Sequence, residues 1–337
     1  MKDKSGQILT PNIAGVNRIL PHKHKFAWDL FLSSCANNWM PTEISMQQDI
    51  KQWKNNEITD DEKLLVKRCL GFFAGSESLV GNNLLLSAFR FITDAECRQY
   101  ILRQAYEESL HNLTVVYICD SLDLDIAEVF NAYETIPSIK AKDDFLMEIT
   151  SDLSRQEFIP SSKEGKQEIL RNLLTYYIVC EGTFFFSGFA MLLALGRQNK
   201  LQGVSDQIKY TLRDESNHIA FGVYLINTII EQNPSIWTKS MQAEFIDHMK
   251  VAVDLEISYS RDVLPIGILG LNSDMFINYM HYIGNRRLES IGLDYRFPSS
   301  TNPFPWLGEV ADVQAMGNFF ERRSRDYQQN GSLEDDF

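Results

Sequence analysis

Two short motifs with the same spacing contain residue types that bind metal ions. Glu108 is followed three residues later by His111, and Glu215 is followed three residues later by His218. On an α-helix, residues three positions apart lie on one face, so each pair can bind one ion together. The chain has six histidines, and two of them belong to these motifs. The repetition predicts two similar halves of one metal site.

A further glutamate precedes each motif at a similar distance along the chain. Glu77 and Glu181 are isolated acids in apolar stretches, and an unpaired carboxylate is costly to bury. One glutamate from each of two helices and Glu-x-x-His from two others is the ligand pattern of di-metal carboxylate bundles. The sequence therefore predicts two ligand sets, which are Glu77, Glu108 and His111 for one ion and Glu181, Glu215 and His218 for the other.

The ligand types also indicate the metals. Four carboxylates balance the charge of two divalent ions, and oxygen-rich ligation with one imidazole per ion suits iron or manganese. A structural zinc site would favour thiolates, but the five cysteines form no Cys-x-x-Cys. The competing interpretation places the acids in salt bridges and the two histidines in an ordinary core. The lack of Lys and Arg from 173 to 195 argues against it.

The stretch from Leu173 to Leu195 has Glu181 as its one formally charged side chain. It is long enough to span a bilayer, but a helix buried on all sides of a bundle has the same composition. Polar residues and glycines interrupt the run, and no second stretch matches it. We therefore predict a core helix and no membrane association.

Neighbours of the ligands are expected to shape their surroundings. Asp214 directly precedes Glu215 and is placed to accept the outer N–H of a ligand imidazole. Three apolar residues follow ligands by one or two helical turns and are expected to form a dry wall beside the metals: Val115, Phe185 and Phe189.

Apolar residues recur every three or four positions, which predicts an all-α bundle. Capping boxes at Thr59–Glu62 and Ser161–Glu164 predict the start of two long helices, and Asp94 is expected to start a third. A fourth is expected over 202–232, and Ser235 is expected to cap a fifth that ends near 264. Shorter helices are expected near 26–38, 43–54, 123–134, 139–153 and 273–291.

The chain is expected to consist of an N-terminal extension (1–25), a helical domain (26–315) and a flexible C-terminal tail (316–337). The tail combines acids with aromatic residues and a leucine, which suits docking on a partner. With 45 acidic and 32 basic side chains, the net charge of −13 argues against a nucleic-acid groove. An odd cysteine count and the lack of an apolar signal region at the N-terminus favour a cytoplasmic location.

The sequence resembles the small (beta, radical-generating) subunit of class I ribonucleotide reductase from about residue 39 to 337. Besides the ligands, three segments are similar to motifs of that family: Trp39-Met40-Pro41-Thr42-Glu43, Arg213-Asp214-Glu215-Ser216-Asn217-His218 and Asn302-Pro303-Phe304-Pro305-Trp306. The tail, with Tyr327 before an acidic terminus ending in Phe337, is similar too. The resemblance implies a ferritin-like bundle whose cluster, activated by O2, starts ribonucleotide reduction in a large (alpha) subunit.

Two departures from the family pattern resemble one branch of the family. Val115 stands where the family has its radical tyrosine, and Glu77 stands where the first ligand is usually Asp. Both resemble the class Ic branch, which stores its oxidising equivalent in a mixed manganese–iron cluster, so Mn and Fe are expected, with two Fe as the alternative. Tyr210 resembles the tyrosine of that branch that helps deliver an electron during oxygen activation.

The resemblance also implies a radical relay and partners. An electron is expected to travel along Tyr327, Trp39, Asp214 and His111, and the tail is expected to dock on the large subunit. The family is usually a homodimer, and the small subunit itself binds no nucleotide.

Two other functions share the bundle. A ligand-binding oxidase of the same superfamily also has a first Glu ligand, a nonpolar residue at the radical position and a Mn/Fe site, and it can crosslink a Val to a Tyr. Val80 and Tyr176 stand where that pair is expected. Against it are Trp39 and the acidic tail, which an enzyme working alone does not need. Ferritin-style metal storage gives no reason for the relay residues.

Overall fold

The computed structural model describes residues 6–9, 16–83, 89–150, 153, 156–268, 270–298 and 301–308; the side chains of residues 77, 79–81 and 83 are not described. Within these ranges the chain forms helices, and the one β contact is an isolated bridge between Ile268 and Leu271. The predicted all-α class is therefore confirmed.

The α-helices are α1 (Lys25–Ala36), α2 (Gln47–Lys54), α3 (Asp60–Asn83), α4 (Phe89–Phe91), α5 (Ala95–Leu122), α6 (Ile126–Phe130), α7 (Ala132–Thr135), α8 (Pro137–Ile149), α9 (Lys163–Leu174), α10 (Phe186–Arg197), α11 (Gln202–Gln232), α12 (Lys239–Val263) and α13 (Ser273–Ser290). A 3-10 turn covers Pro41–Glu43, and a π-helical stretch, Thr175–Phe184, lies between α9 and α10. We call this stretch the π segment.

Side-chain caps explain where the long helices begin. The Thr59 amide donates to Glu62 Oε2 at 2.9 Å, and the Glu62 amide donates to Thr59 Oγ1 at 3.3 Å, so the predicted capping box starts α3. Asp94 accepts hydrogen bonds from the amides of Glu96 and Cys97 at the start of α5. Both caps satisfy amides that the first helical turn leaves without a partner.

Two predicted caps are wrong, one by a single residue and one by three residues. Ser162, not Ser161, caps α9, because its hydroxyl accepts from the Gly165 amide. Thr238, not Ser235, caps α12, because the chain is still turning at Ile236, whose amide donates to the Asn233 carbonyl. Sequence shows a hydroxyl residue near a helix start, but backbone direction decides which one is placed to accept.

The centre of the bundle is formed by α3, α5, α11 and the continuous helix made of α9, the π segment and α10. Helix α3 packs on α5, α10 packs on α11, and α11 also packs on α5 and the π segment. Helices α8, α12 and α13 contact the π segment from outside. The core elements are therefore the four that carry the predicted ligands.

The apolar stretch is a core helix. In the described part of the chain, Lys163–Arg197 is the one helix long and apolar enough to cross a bilayer, but 94% of its most apolar window is buried inside the bundle. The surrounding helices, rather than lipid, cover its apolar surface.

Two compact units divide the chain, 1–303 and 304–337. The first contains all the helices named above, and the second is described only over 304–308. The predicted tail, with Tyr327, lies outside the described residues.

Candidate metal centre

Four buried side chains from three elements converge inside the bundle. Glu108 comes from α5, Glu181 from the π segment, and Glu215 and His218 from α11, with their ligand atoms all within 4.8 Å of one another. Each of these side chains is at most 1% exposed. The helical period of α11 places Glu215 and His218 on one face, as the three-residue spacing predicts.

His111 completes the arrangement from α5. Its Nδ1 lies 3.1 Å from Glu215 Oε1 and 3.5 Å from Glu108 Oε2. The Nδ1 atom of His218 lies 3.1 Å from Glu108 Oε1 and 3.4 Å from Glu215 Oε2. The two glutamates thus stand between the two imidazoles, with one oxygen of each turned to each ring. Carboxylates placed in this way would be able to supply oxygen to ions held beside both imidazoles.

The donor set fits a pair of divalent ions. Both carboxylate oxygens of Glu108 and of Glu215, and Nδ1 of His218, are buried and have no hydrogen-bond partner among the described residues. Such atoms are costly to bury unless something binds them. The group of Glu108, Glu181, Glu215 and His218 offers three carboxylates and one imidazole, and no thiolate belongs to it, so the set suits iron or manganese.

The charges of the centre shift its titrations strongly. Burial would raise the pKa of Glu108, but the imidazoles of His218 and His111 hold it well below its usual value. Burial would lower the pKa of His218, but the carboxylates of Glu215 and Glu108 raise it well above its usual value. The cavity is thus built for positive charge, whether from protons or from metal ions.

Glu77 is the sixth predicted ligand. Its backbone lies in α3, which packs against α5 and α10, and its side chain lies outside the described part of the structure. The five other predicted ligands meet in one cluster, and Glu77 stays a prediction.

Asp214 connects the cluster to Trp39. The indole Nε1 of Trp39 donates to Asp214 Oδ2 at 2.7 Å, and Nε2 of His111 lies 3.5 Å from the same oxygen. Arg213 donates to the other oxygen, Oδ1. Burial would raise the pKa of Asp214, but His111 and Arg213 lower it. Asp214 therefore contacts a ligand imidazole, as expected. That imidazole belongs to His111, in the other Glu-x-x-His motif.

Glu107 is a residue that our sequence reasoning missed. Its Oε2 lies 3.0 Å from Nε2 of His218, and its Oε1 accepts from Arg103 Nε at 3.0 Å. Its position in the sequence could have identified it, since Glu107 directly precedes Glu108 as Asp214 directly precedes Glu215. Each motif therefore supplies the outer carboxylate for the histidine of the other motif.

Gln104 and Tyr177 were also missed. Gln104 Nε2 donates to Glu181 Oε1 at 2.8 Å, and the Tyr177 hydroxyl donates to Gln104 Oε1 at 3.0 Å. The phenol thus fixes the orientation of the amide, and the amide fixes one oxygen of Glu181. Gln104 lies one helical turn before Glu108 on α5, which is the signal that could have identified it.

The other predicted site residues fall around this core. Val115, Phe185 and Phe189 are buried, and the two phenylalanine rings pack edge to face at 6.0 Å. Tyr210 stacks on Trp39 with ring centroids 5.1 Å apart. Tyr176 is buried in the π segment, and the side chain of Val80 lies outside the described residues, so the predicted crosslink is not tested.

The fold and the site together define a helical di-metal carboxylate protein. The family model described as ribonucleotide reductase, small chain, matches residues 16–303. The chain therefore belongs to the ribonucleotide reductase small-chain family, and its enzyme class is that of the ribonucleoside-diphosphate reductase beta subunit. Membership implies that it generates the radical for ribonucleotide reduction and works with an alpha subunit.

Individual relatives agree with this assignment. The chain is 50% identical over 322 residues to the ribonucleoside-diphosphate reductase subunit beta of Chlamydia pneumoniae, covering 96% of this chain and 93% of the relative. It is 28% identical to the small chain of Neurospora crassa, covering 94% and 72%. The solved R2 subunit from Clostridium botulinum superposes with a TM-score of 0.82 at 26% identity, covering 92% of this chain and 97% of that one. This likeness confirms the predicted ferritin-like fold.

Proposed function

We propose that this small subunit belongs to the class Ic type and starts ribonucleotide reduction from a Mn/Fe cluster without a radical tyrosine. The observation that carries the proposal is the buried connection from Trp39 through Asp214 to His111. It leads from the candidate metal centre to an aromatic ring that can exchange an electron. Val115, which cannot be oxidised, supports the absence of a tyrosyl store.

Six residues hold the two ions in this proposal: Glu77, Glu108, His111, Glu181, Glu215 and His218. When bound, the ions would supply the oxidising equivalent, with O2 as the oxidant. The chain itself orients both imidazoles through Asp214 and Glu107. Gln104 holds one oxygen of Glu181, and the buried Val115, Phe185 and Phe189 exclude water.

Electron exchange with the alpha subunit runs along Tyr327, Trp39, Asp214 and His111. Asp214 can accept the indole N–H hydrogen bond while ionised, because Arg213 and His111 lower its pKa. It therefore stabilises positive charge on an oxidised Trp39. Tyr210, stacked on Trp39, delivers an electron during activation.

The C-terminal tail, 316–337, docks on the alpha subunit, and the chain forms a cytoplasmic homodimer that binds neither membrane nor nucleic acid. An apolar stripe on α5 supports the homodimer. Four large apolar residues on one face of this helix are each 36 to 45% exposed: Leu102, Tyr106, Leu113 and Val116. Contiguous exposed apolar surface of this kind is typical of an interface.

Element analysis and EPR of protein loaded with manganese and iron, before and after O2, test the cluster. We expect one Mn and one Fe per chain, a coupled-cluster signal and no tyrosyl signal. Two irons with a tyrosyl doublet would contradict the proposed radical store.

Turnover with the alpha subunit tests the relay. Trp39→Phe and Tyr327→Phe should keep the cluster spectrum yet abolish turnover, whereas Trp53→Phe, which changes a tryptophan that lies beside Lys63, should keep both. Full turnover in either relay variant would exclude this path. The ligand-binding oxidase would be favoured instead if a peptide of residues 326–337 neither bound nor inhibited any reductase alpha subunit.

A further inference from the structure

The helix that carries Glu181 is π-helical over ten residues, Thr175–Phe184. Most π-helical geometry in proteins is a single-turn bulge inside an α-helix, because the wider turn packs its own backbone poorly. A stretch of this length needs support from outside. It also sets the direction in which Glu181 points, because a change of register by one residue rotates a helical side chain by about 100°.

A cationic side chain from α13 contacts this stretch directly. Arg287 Nε donates to the Gly182 carbonyl at 2.6 Å. Residue 182 must be glycine for this contact, since a Cβ there would lie 2.7 Å from the Tyr177 carbonyl oxygen and 3.0 Å from Arg287 Nε. The missing side chain gives the guanidinium access to the backbone one residue after Glu181.

A second cation acts at the end of the stretch. Lys142 Nζ, from α8, donates to the Phe184 carbonyl at 3.0 Å. The residue is fully buried, and its ammonium lies 3.2 Å from the centre of the Phe72 ring. Burial of an ammonium ion is costly unless it is paired, so its place here needs an explanation.

Glu256 from α12 pairs with this lysine and binds the other side of the same junction. Its Oε2 lies 2.6 Å from Lys142 Nζ, and its Oε1 accepts from the Ser187 amide at 3.3 Å. The pair therefore satisfies a carbonyl at the last π residue and an amide in the first turn of α10. Those groups flank Phe185, where π-helical geometry changes to α-helical geometry.

We propose that Arg287 and the Lys142–Glu256 pair are positioning residues that hold the π segment and thereby direct Glu181 into the metal centre. Their donors bind two carbonyls that closely follow the ligand, those of Gly182 and Phe184. Without them the stretch relaxes toward α-helical register, and the carboxylate turns away from Glu108, Glu215 and His218. The metal-binding half of this inference rests on Glu181 being a ligand, as in the proposed function.

Two variants of the full-length chain test the inference independently. Arg287→Met removes one donor, and Lys142→Met combined with Glu256→Gln removes the buried pair without leaving an unpaired charge. Matched controls are Arg286→Met and Lys140→Met, which change exposed neighbours on the same two helices. Arg287→Lys serves as the conservative variant, because it keeps a cationic donor.

Two quantities are measured on metal-free protein. Hydrogen exchange of the amides of residues 175–187 reports opening of the segment. Titration with Mn²⁺, followed by EPR of the free ion, reports binding. We expect exchange in this segment to be faster by about tenfold or more, as for loss of one hydrogen bond from a charged donor. We expect Mn²⁺ affinity to fall by about tenfold, as for other groups that orient ligands.

Both controls should match the unmodified chain, and Arg287→Lys should recover much of the exchange protection and affinity. Unchanged exchange in Arg287→Met and in the double variant would overturn the inference, as would a rise spread evenly over the whole bundle. Faster exchange with unchanged Mn²⁺ affinity would overturn the positioning of Glu181. An unmodified chain that binds no Mn²⁺ would instead refute the proposed metal site, while the exchange result would still decide what holds the segment.

Discussion

The role of Glu107 gives the sharpest test of how this centre is built. Glu107→Gln keeps the shape and an acceptor oxygen for Nε2 of His218, which lies 3.0 Å away, but removes the negative charge. It also deprives Arg103 of its ionised partner. The side chains of Arg103 and Glu107 are at most 10% exposed. Water therefore does little to replace the lost ionic hydrogen bonds.

The size of the effect follows from the type of hydrogen bond. A bond to an ionised acceptor contributes about 1.5–3 kcal/mol, and a neutral one about 0.5–1.5 kcal/mol. The difference of about 1–2 kcal/mol corresponds to roughly a five- to thirtyfold loss of metal affinity. The loss arises because a neutral amide polarises the imidazole of His218 less and makes its Nδ1 a weaker ligand.

Mn²⁺ titration of the metal-free chain, with free Mn²⁺ read by EPR, measures this loss. Glu96→Gln is the control, because Glu96 is a buried carboxylate on the same helix that also contacts a histidine, His22, at 2.6 Å. That control should bind Mn²⁺ like the unmodified chain. If Glu107→Gln binds both equivalents with unchanged affinity, Glu107 does not act on the metal centre through His218, and the reasoning from geometry is refuted.

Three further predictions concern stability and assembly. Burial raises the pKa of Asp143 to about 6, so ionisation opposes folding, and the free energy of unfolding should fall as pH rises from about 4 to 6. Asp143→Asn should abolish that fall and add about 3 kcal/mol or less at pH 7, measured by denaturant titration at each pH. Leu113→Glu, on the apolar stripe of α5, should convert a dimer to a folded monomer in light scattering. Gly222→Ala would place a Cβ in collision with the Tyr177 ring and should destabilise the chain by about 2–3 kcal/mol in thermal unfolding. Gly308→Ala should not, because no described atom lies within 4 Å of the added Cβ.

Much of the fold could be predicted because it depends on local rules. Two helix starts were predicted from capping residues, and the structure confirms both: Thr59 with Glu62 for α3, and Asp94 for α5. The spacing within each Glu-x-x-His motif determines which side chains share a helical face, so the pairing of each glutamate with its own histidine also follows from sequence. Such features need only the period of an α-helix.

Features that depend on how helices meet were not predicted. The π segment cannot be read from an apolar run, because periodicity does not distinguish it from an α-helix. The carboxylate of Glu107 has a neighbour on its own helix, Arg103, and a partner on another helix, His218. Only the second contact gives it a role, and that contact exists only once α5 and α11 pack together.

The exchange of outer carboxylates between the motifs makes two similar halves unequal. Asp214 beside His111 accepts a hydrogen bond from the indole of Trp39, whereas Glu107 beside His218 accepts one from the guanidinium of Arg103. An indole can lose an electron to a nearby oxidant, and a guanidinium cannot. Asp214 also accepts from a guanidinium, that of Arg213, so the indole is the contact that distinguishes the two halves in the proposed relay. The repeat in the sequence therefore predicts two similar ligand sets, and the departure from that repeat at Trp39 is what would give the proposed relay its direction.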